Sequence, residues 1–264
     1  ADFNPARNIE NPFVKTNADK LIQQDTTHYR VGNFTVDPMI DARTSYFHNS
    51  IGGYHAAKMG RYQELFEYQI AQRNMGVLDM LNTKYFLFSD DQGTTQVQLN
   101  EAANGNAWFV ENLKLVASEN EEMQALDSLD SKNTAVLNRN DFGTQFTANE
   151  TLQYEKDTTA TIQLKNYDVT TLTYRSNTQK EQFAVFSEIY YKEGWNTYID
   201  GDLTPHFRVN YVLRGMKIPA GDHQVVFQFE PNVIKEGKII SLIAYGLLLL
   251  FPIGWFFYEK KGVK

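Results

Sequence analysis

The densest group of side chains able to do chemistry lies between positions 41 and 55, where Asp41, Arg43, Tyr46, His48, Tyr54 and His55 stand close together in the chain. A histidine near an aspartate can move protons around neutral pH or contact a substrate. The same residues also read as a loop packed by its aromatics and tied by hydrogen bonds, because their spacing matches no metal or triad motif. A second group, Trp195, Tyr198, Asp200 and Asp202, surrounds one Asp-Gly turn. An exposed ring beside carboxylates can hold a sugar, the ring covering an apolar face while the acids accept hydroxyl protons. Strand alternation offers another reading, in which Trp195 and Ile199 face a core and Asp200 only makes the turn. Arg208 and Arg214 form a third group. On one strand face they could grip a phosphate or carboxylate, or form a solvated row that supports neighbouring acids.

Larger signatures are missing. The sequence contains no G-x-G-x-x-G, P-loop, H-E-x-x-H, G-x-S-x-G or EF-hand pattern. It has no cysteine, which removes disulfides and thiolate metal sites. No catalytic residue, metal site or cofactor is therefore expected. Asn149-Glu150-Thr151 fits a glycosylation sequon, which has meaning only in a eukaryotic secretory pathway.

The elements that would position these groups change character along the chain. Residues 1–27, rich in Asn, Asp, Lys and Gln with Pro5 and Pro12, read as an extended lead-in. Residues 28–144 read as an α+β domain. Tyr62, Phe66 and Ile70 at four-residue spacing predict a helix over 61–72, and a short helix follows over 77–81. Strands are predicted over 28–36, 84–88 and 107–116. Ser118 followed by Glu121 is a capping-box signature for a helix ending near Asp130. From about 145 the period becomes two. Strands are predicted over 160–165, 170–175, 182–191, 195–199, 207–214 and 223–230, separated by turn residues. Such spacing without intervening helices indicates an antiparallel, jelly-roll-like β-sandwich over 145–232. The fold class is α+β.

Residues 239–257 (IISLIAYGLLLLFPIGWFF) form a run of 19 residues without a charge. As a helix this run covers about 28 Å, close to the roughly 30 Å hydrocarbon core of a bilayer. Trp255, Phe256, Phe257 and Tyr258 stand where an aromatic belt would lie, and lysines predominate in the tail at 258–264. This pattern predicts a C-terminal transmembrane helix with the tail cytoplasmic and residues 1–238 on the extracytoplasmic side. The bilayer is then an expected partner. A net charge of −7 argues against nucleic acid, and 42% hydrophobic residues place the chain among folded proteins. A domain held outside by one C-terminal helix needs something upstream to carry it across, so the chain reads as the tail of a longer membrane protein.

One stretch is specific enough to suggest kinship. Ser187-Glu188-Ile189-Tyr190-Tyr191, Gly194-Trp195, Ile199-Asp200-Gly201, Asn210-Tyr211-Val212-Leu213-Arg214, Pro219-Ala220-Gly221 with His223, and Phe229-Glu230-Pro231 occur in that order. Upstream come Asp41-Ala42-Arg43-Thr44-Ser45-Tyr46-Phe47-His48, Gly53-Tyr54-His55 and Leu81-Asn82-Thr83-Lys84-Tyr85. Together they resemble the C-terminal extracytoplasmic region and last membrane helix of YfhO-like bacterial membrane proteins. That resemblance implies a large multi-pass protein of the cytoplasmic membrane, similar to glycosyltransferases that use lipid-linked sugars and act on cell-envelope polymers. In that superfamily the essential acids lie in an early outer loop absent from this chain, so the resemblance implies an accessory or acceptor-shaping part. Its partners would be the upstream membrane part and an envelope glycan or lipid-linked sugar. The alternative is a non-catalytic, membrane-anchored module that binds glycan or protein.

Overall fold

Strand β10 (Gln182–Ile189) organises the molecule because both of its faces are buried. Phe183 and Val185 point into one apolar cluster, and Ala184 and Phe186 into another. An alternating strand normally wets one face, so this one must lie between two layers. The structure is a computed structural model that describes residues 12–142 and 152–261; the side chains of Lys235 and of residues 253–261 lie outside the description. The sequon at 149–151, the aromatic belt side chains and residues 1–11 of the lead-in fall outside it; the rest of the lead-in is not the extended segment expected, because Thr16 and Asp19 form a capping box that starts a helix over Asn17–Ile22.

The N-terminal part is built from α1 (Asn17–Ile22), β1 (Arg30–Asn33), α2 (Arg43–Phe47), α3 (Gly60–Leu65) and α4 (Met75–Met80). It continues through β2 (Thr83–Ser89), β3 (Thr95–Leu99), β4 (Ala107–Val110), β5 (Asn112–Val116), α5 (Glu119–Ala125), β6 (Thr134–Asn138) and α6 (Arg139–Phe142). Beyond residue 152 follow β7 (Leu152–Gln153), β8 (Thr161–Tyr167), β9 (Thr171–Thr178), β10, β11 (Trp195–Ile199) and β12 (Asp202–Leu203). The last elements are β13 (Phe207–Val209), β14 (Leu213–Ile218), β15 (Gly221–Phe229) and α7 (Asn232–Lys261).

Two antiparallel sheets, ordered β13-β14-β10-β4 and β12-β11-β15-β9-β8, face each other across Leu172, Tyr174, Phe186, Met216, Ile218, Val225 and Phe227. Tyr174, Phe186 and Phe227 meet edge to face, with ring centroids 4.8 to 6.0 Å apart. Each such pair adds about 0.5–1.5 kcal/mol beyond the area it buries. The outer face of the four-stranded sheet packs on Leu65, Ile70, Val77, Leu78 and Leu81 of the helical segment. Two smaller sheets, β1-β2-β3 and β6-β5-β7, each combine a parallel with an antiparallel pair. Strands cross the 144/145 position in both directions, since β4 pairs with β10 and β7 with β5.

Three local expectations are corrected. The strand predicted over 107–116 is two strands broken at Glu111, and each half joins a different sheet. The strand predicted over 207–214 is a hairpin, because Asn210 and Tyr211 adopt φ of 49° and 72°. Those left-handed conformations cost energy in non-glycine residues. Buried hydrogen bonds hold them: Asn210 Oδ1 accepts from the Val136 N–H at 2.8 Å, and the Tyr211 N–H donates to Glu122 Oε1 at 3.0 Å. The helix predicted over 61–72 is α-helical only through Leu65 and continues as a π-helical turn over Phe66–Ile70. β3 and β6 were not foreseen as strands. The capping signature does start α5, where Ser118 Oγ accepts from the Glu121 N–H at 3.2 Å.

The α7 backbone continues directly from β15. Its described apolar side chains, from Ile239 through Phe251, are more than half exposed wherever they are large. Among the described residues no helix is long and apolar enough to cross a membrane.

Candidate functional site

The segment after β1 is pinned from several sides. Asp41 Oδ2 accepts from the Arg43 and Thr44 N–H groups at 3.0 and 3.3 Å, which starts α2 in the manner of a cap. Asn33 Nδ2 donates to Thr44 Oγ1 at 2.9 Å and ties that helix to β1. Beyond α2 the chain runs beside β1, with the Val31 N–H donating to Asn49 O and the Ile51 N–H to Val31 O. His48 Nε2 lies 3.0 Å from Asp19 Oδ1 in a buried pair. Burial would raise the Asp19 carboxyl, but hydrogen bonds from Thr16 and His48 outweigh it and hold the group below its ordinary value.

These ties place Ser45, His48, Asn49 and Ser50 on one rim of a cleft whose other rim is His28, Arg30 and Tyr167. The His28 and Tyr167 rings stack at 3.7 Å. A neighbouring polar depression reaches Gln23, Thr27 and Tyr46. On the far side of Arg30 lies a mostly apolar one of about 360 Å³, lined by Met39, Ile51, Met59, Tyr62 and Ile189. Arg30 separates the two kinds of surface, and its Nη1 donates to Leu81 O and Ser187 O at 2.8 and 2.7 Å.

Under the cleft sits a buried carboxylate. Glu188 Oε1 is 3.3 Å from His28 Nε2, and Oε2 is 3.9 Å from Arg30 Nη2. Burial alone would raise the Glu188 carboxyl; the His28 ring and the charges of Arg30 and Arg214 instead pull it down to about 2. Arg214 is buried with its guanidinium 4.2 Å from the Trp195 ring centroid and 5.1 Å from that of Phe227. Burial lowers Arg214 to about 10 against the attraction of Glu188, so it stays charged at neutral pH.

The expected residues therefore separate. Tyr46 and His48 border the clefts, and His55 lines the apolar depression while its Nδ1 accepts from the Ala57 N–H at 3.0 Å. Tyr54 is 71% exposed. Asp41 serves the α2 start, and Arg43 Nη2 donates to Val14 O at 3.1 Å. Trp195 packs on Phe229 and Arg214. Asp200 pairs with His223 at 2.6 Å near the opposite end of the five-stranded sheet. Arg208 is directly across from Arg214 in the hairpin but pairs with Asp141. His28, Arg30, Tyr167 and Glu188 were missed as site residues. Glu188 carried a signal, since a carboxylate inside the apolar run of β10 must find buried partners.

The model of the family described as bacterial membrane protein YfhO matches residues 38–241. The chain belongs to the YfhO family. No curated protein and no solved structure matches it. Membership explains the order of the motifs, and the geometry explains what several of them do in this YfhO-family chain. Glu188, Trp195 and Arg214 come from three motifs and are linked through the buried Arg214, which attracts Glu188 and lies over the partly buried Trp195 ring. Asp200 and His223 come from two others and form one pair. As chemistry, the cleft offers hydroxyls, amides and aromatic edges suited to holding a polar ligand beside an apolar one. Among the described residues no cluster could hold a metal ion.

Proposed function

We propose that this chain is the extracytoplasmic C-terminal portion of a larger YfhO-family protein, anchored in the bacterial cytoplasmic membrane by α7. In this reading it shapes the acceptor side of a glycosyltransferase that uses a lipid-linked sugar on a cell-envelope polymer. Residues 28–144 form the α+β part that supplies the cleft lining apart from Tyr167, and residues 145–232, joined by β4, a jelly-roll-like sandwich that mounts it on the helix.

The observation that carries this reading is position. Tyr167, on the cleft rim, pairs with Leu172, and Leu172 with Phe227, so the cleft opens within two strands of the end of β15. Strands lie about 4.8 Å apart, which puts the rim roughly 10 Å from the strand that leads into α7. A lipid-linked ligand is delivered at the bilayer surface, and a cleft at this end meets it without a large movement. Among the described residues the exposed apolar side chains of α7 find no partner, and lipid supplies one. Lysines at the far end of the helix favour a cytoplasmic tail.

The test is sugar transfer by the full-length protein in proteoliposomes, with a polyprenyl-phosphate sugar as donor. Tyr46→Ala and Tyr167→Ala remove exposed rings and should raise KM for the acceptor roughly 2- to 10-fold with little change in kcat, the loss of one aromatic contact. An unchanged KM in both variants refutes the acceptor role. Glycan binding by a protein with no transfer activity would favour the non-catalytic module instead.

A further inference from the structure

We infer that the α7 end of the five-stranded sheet rests on the bilayer, with Val169 and Tyr191 seated in the lipid interface as a foot for the whole body. This rests on the reading of α7 as a membrane anchor. Strand register decides which loops share that end. The Phe229 N–H donates to Thr170 O at 2.8 Å, and the Glu230 N–H donates to Gly194 O at 2.5 Å. The β8–β9 turn and the β10–β11 loop therefore flank the point where β15 hands over to α7. Each displays a large apolar side chain to solvent: Val169 is 84% exposed and Tyr191 45%.

Exposed apolar side chains scattered singly are ordinary, but these two flank the point from which α7 leaves and extend its apolar surface. The surface continuous with these tips is α7, whose exposed face is aliphatic. Tyrosine suits the headgroup level, having an apolar body and a polar tip. Charge does not make the contact, because Asp168 and Glu193 beside these tips offset Lys192. The seating is therefore expected to survive 1 M salt, where screening acts within about 3 Å.

The absence of cysteine makes the experiment clean. Single cysteines replace Val169, Tyr191, Leu203 and Leu248 in the full chain, each carrying an environment-sensitive fluorophore. The proteins are reconstituted in phosphatidylcholine–phosphatidylglycerol vesicles containing spin-labelled lipid. Leu203 is the control, since it is 69% exposed and pairs with Tyr198, level with Val226 and so about 10 Å back from the Phe229 end of the sheet. Loss of emission at 169 and 191 with headgroup-labelled lipid, and none at 203, is the expected result. Emission at 169 and 191 as unquenched as at 203 overturns the proposal. Leu248→Cys separates the two ideas. If deep-labelled lipid quenches it while 169 and 191 stay bright, the anchor stands and the foot falls. If it too stays bright, the anchor reading itself fails.

Discussion

Replacing Glu188 by glutamine should destabilise the protein by about 3 kcal/mol at neutral pH and remove one identifiable part of its acid sensitivity. The carboxyl moves from an ordinary value of 4.5 to about 2 in the folded state. At roughly 1.4 kcal/mol per pH unit, that difference stabilises the folded form by about 3 kcal/mol. The side chain is only 11% exposed, so solvent screening takes little from the figure. The size agrees with the ~3–5 kcal/mol lost when one partner of a buried ion pair is removed and the other is left unpaired. Because the folded value lies below the unfolded one, the contribution is fully present above pH 4.5 and is lost as pH falls toward 2. Urea unfolding of the full chain in mild detergent, followed by near-UV circular dichroism between pH 7 and 2.5, reads both effects. Other acids titrate in the same window, so the quantity of interest is the wild type minus Glu188→Gln difference. That difference should shrink steadily below pH 4.5. A difference under about 1 kcal/mol at pH 7, or one that does not change with pH, would refute the electrostatic account of the cluster. Adding Arg214→Met should recover part of the loss, because it removes the buried cation that Glu188 leaves behind.

Two further outcomes follow from single contacts. A Cβ on Gly215 would stand 2.7 Å from Phe183 Cε1 and 2.9 Å from Val209 Cγ1, inside the core that β10 organises. Gly215→Ala should cost about 1–3 kcal/mol by overpacking, and a neutral effect in a urea titration would show that β13 and β14 can part freely. His223 presents Nδ1 to Asp200 at 2.6 Å and Nε2 to the Ala220 carbonyl at 3.1 Å, so the charged ring suits both acceptors. The hydrogen bond to Asp200 raises its pKa above 6.5. Its contribution to stability is therefore full below pH 6.5 and is lost as pH rises through the folded value. An NMR titration of the ring giving a midpoint under 6.5 would contradict this.

Local pattern determined much of this protein. Period-two alternation located β8 through β11 and β15, and the Ser118 signature located the start of α5, because side-chain direction and helix capping are properties of a few neighbouring residues. The charge-free run at 239–257 and the order of the motifs pointed to the family for the same reason. Tertiary structure decided what local pattern cannot encode. Glu111 and Asn210 look like interior strand residues; one is a switch between sheets and the other a left-handed hairpin residue held by Val136, far away in the chain. The cleft was half legible. His48 and Tyr46 were visible as a polar and aromatic cluster, whereas His28 with Arg30, Tyr167 and Glu188 come from three separate segments. A buried carboxylate announces that partners exist, but only the packing of β1 and β8 against β10 says which ones, because a charge removed from water can be neutralised by any cation the fold brings within reach.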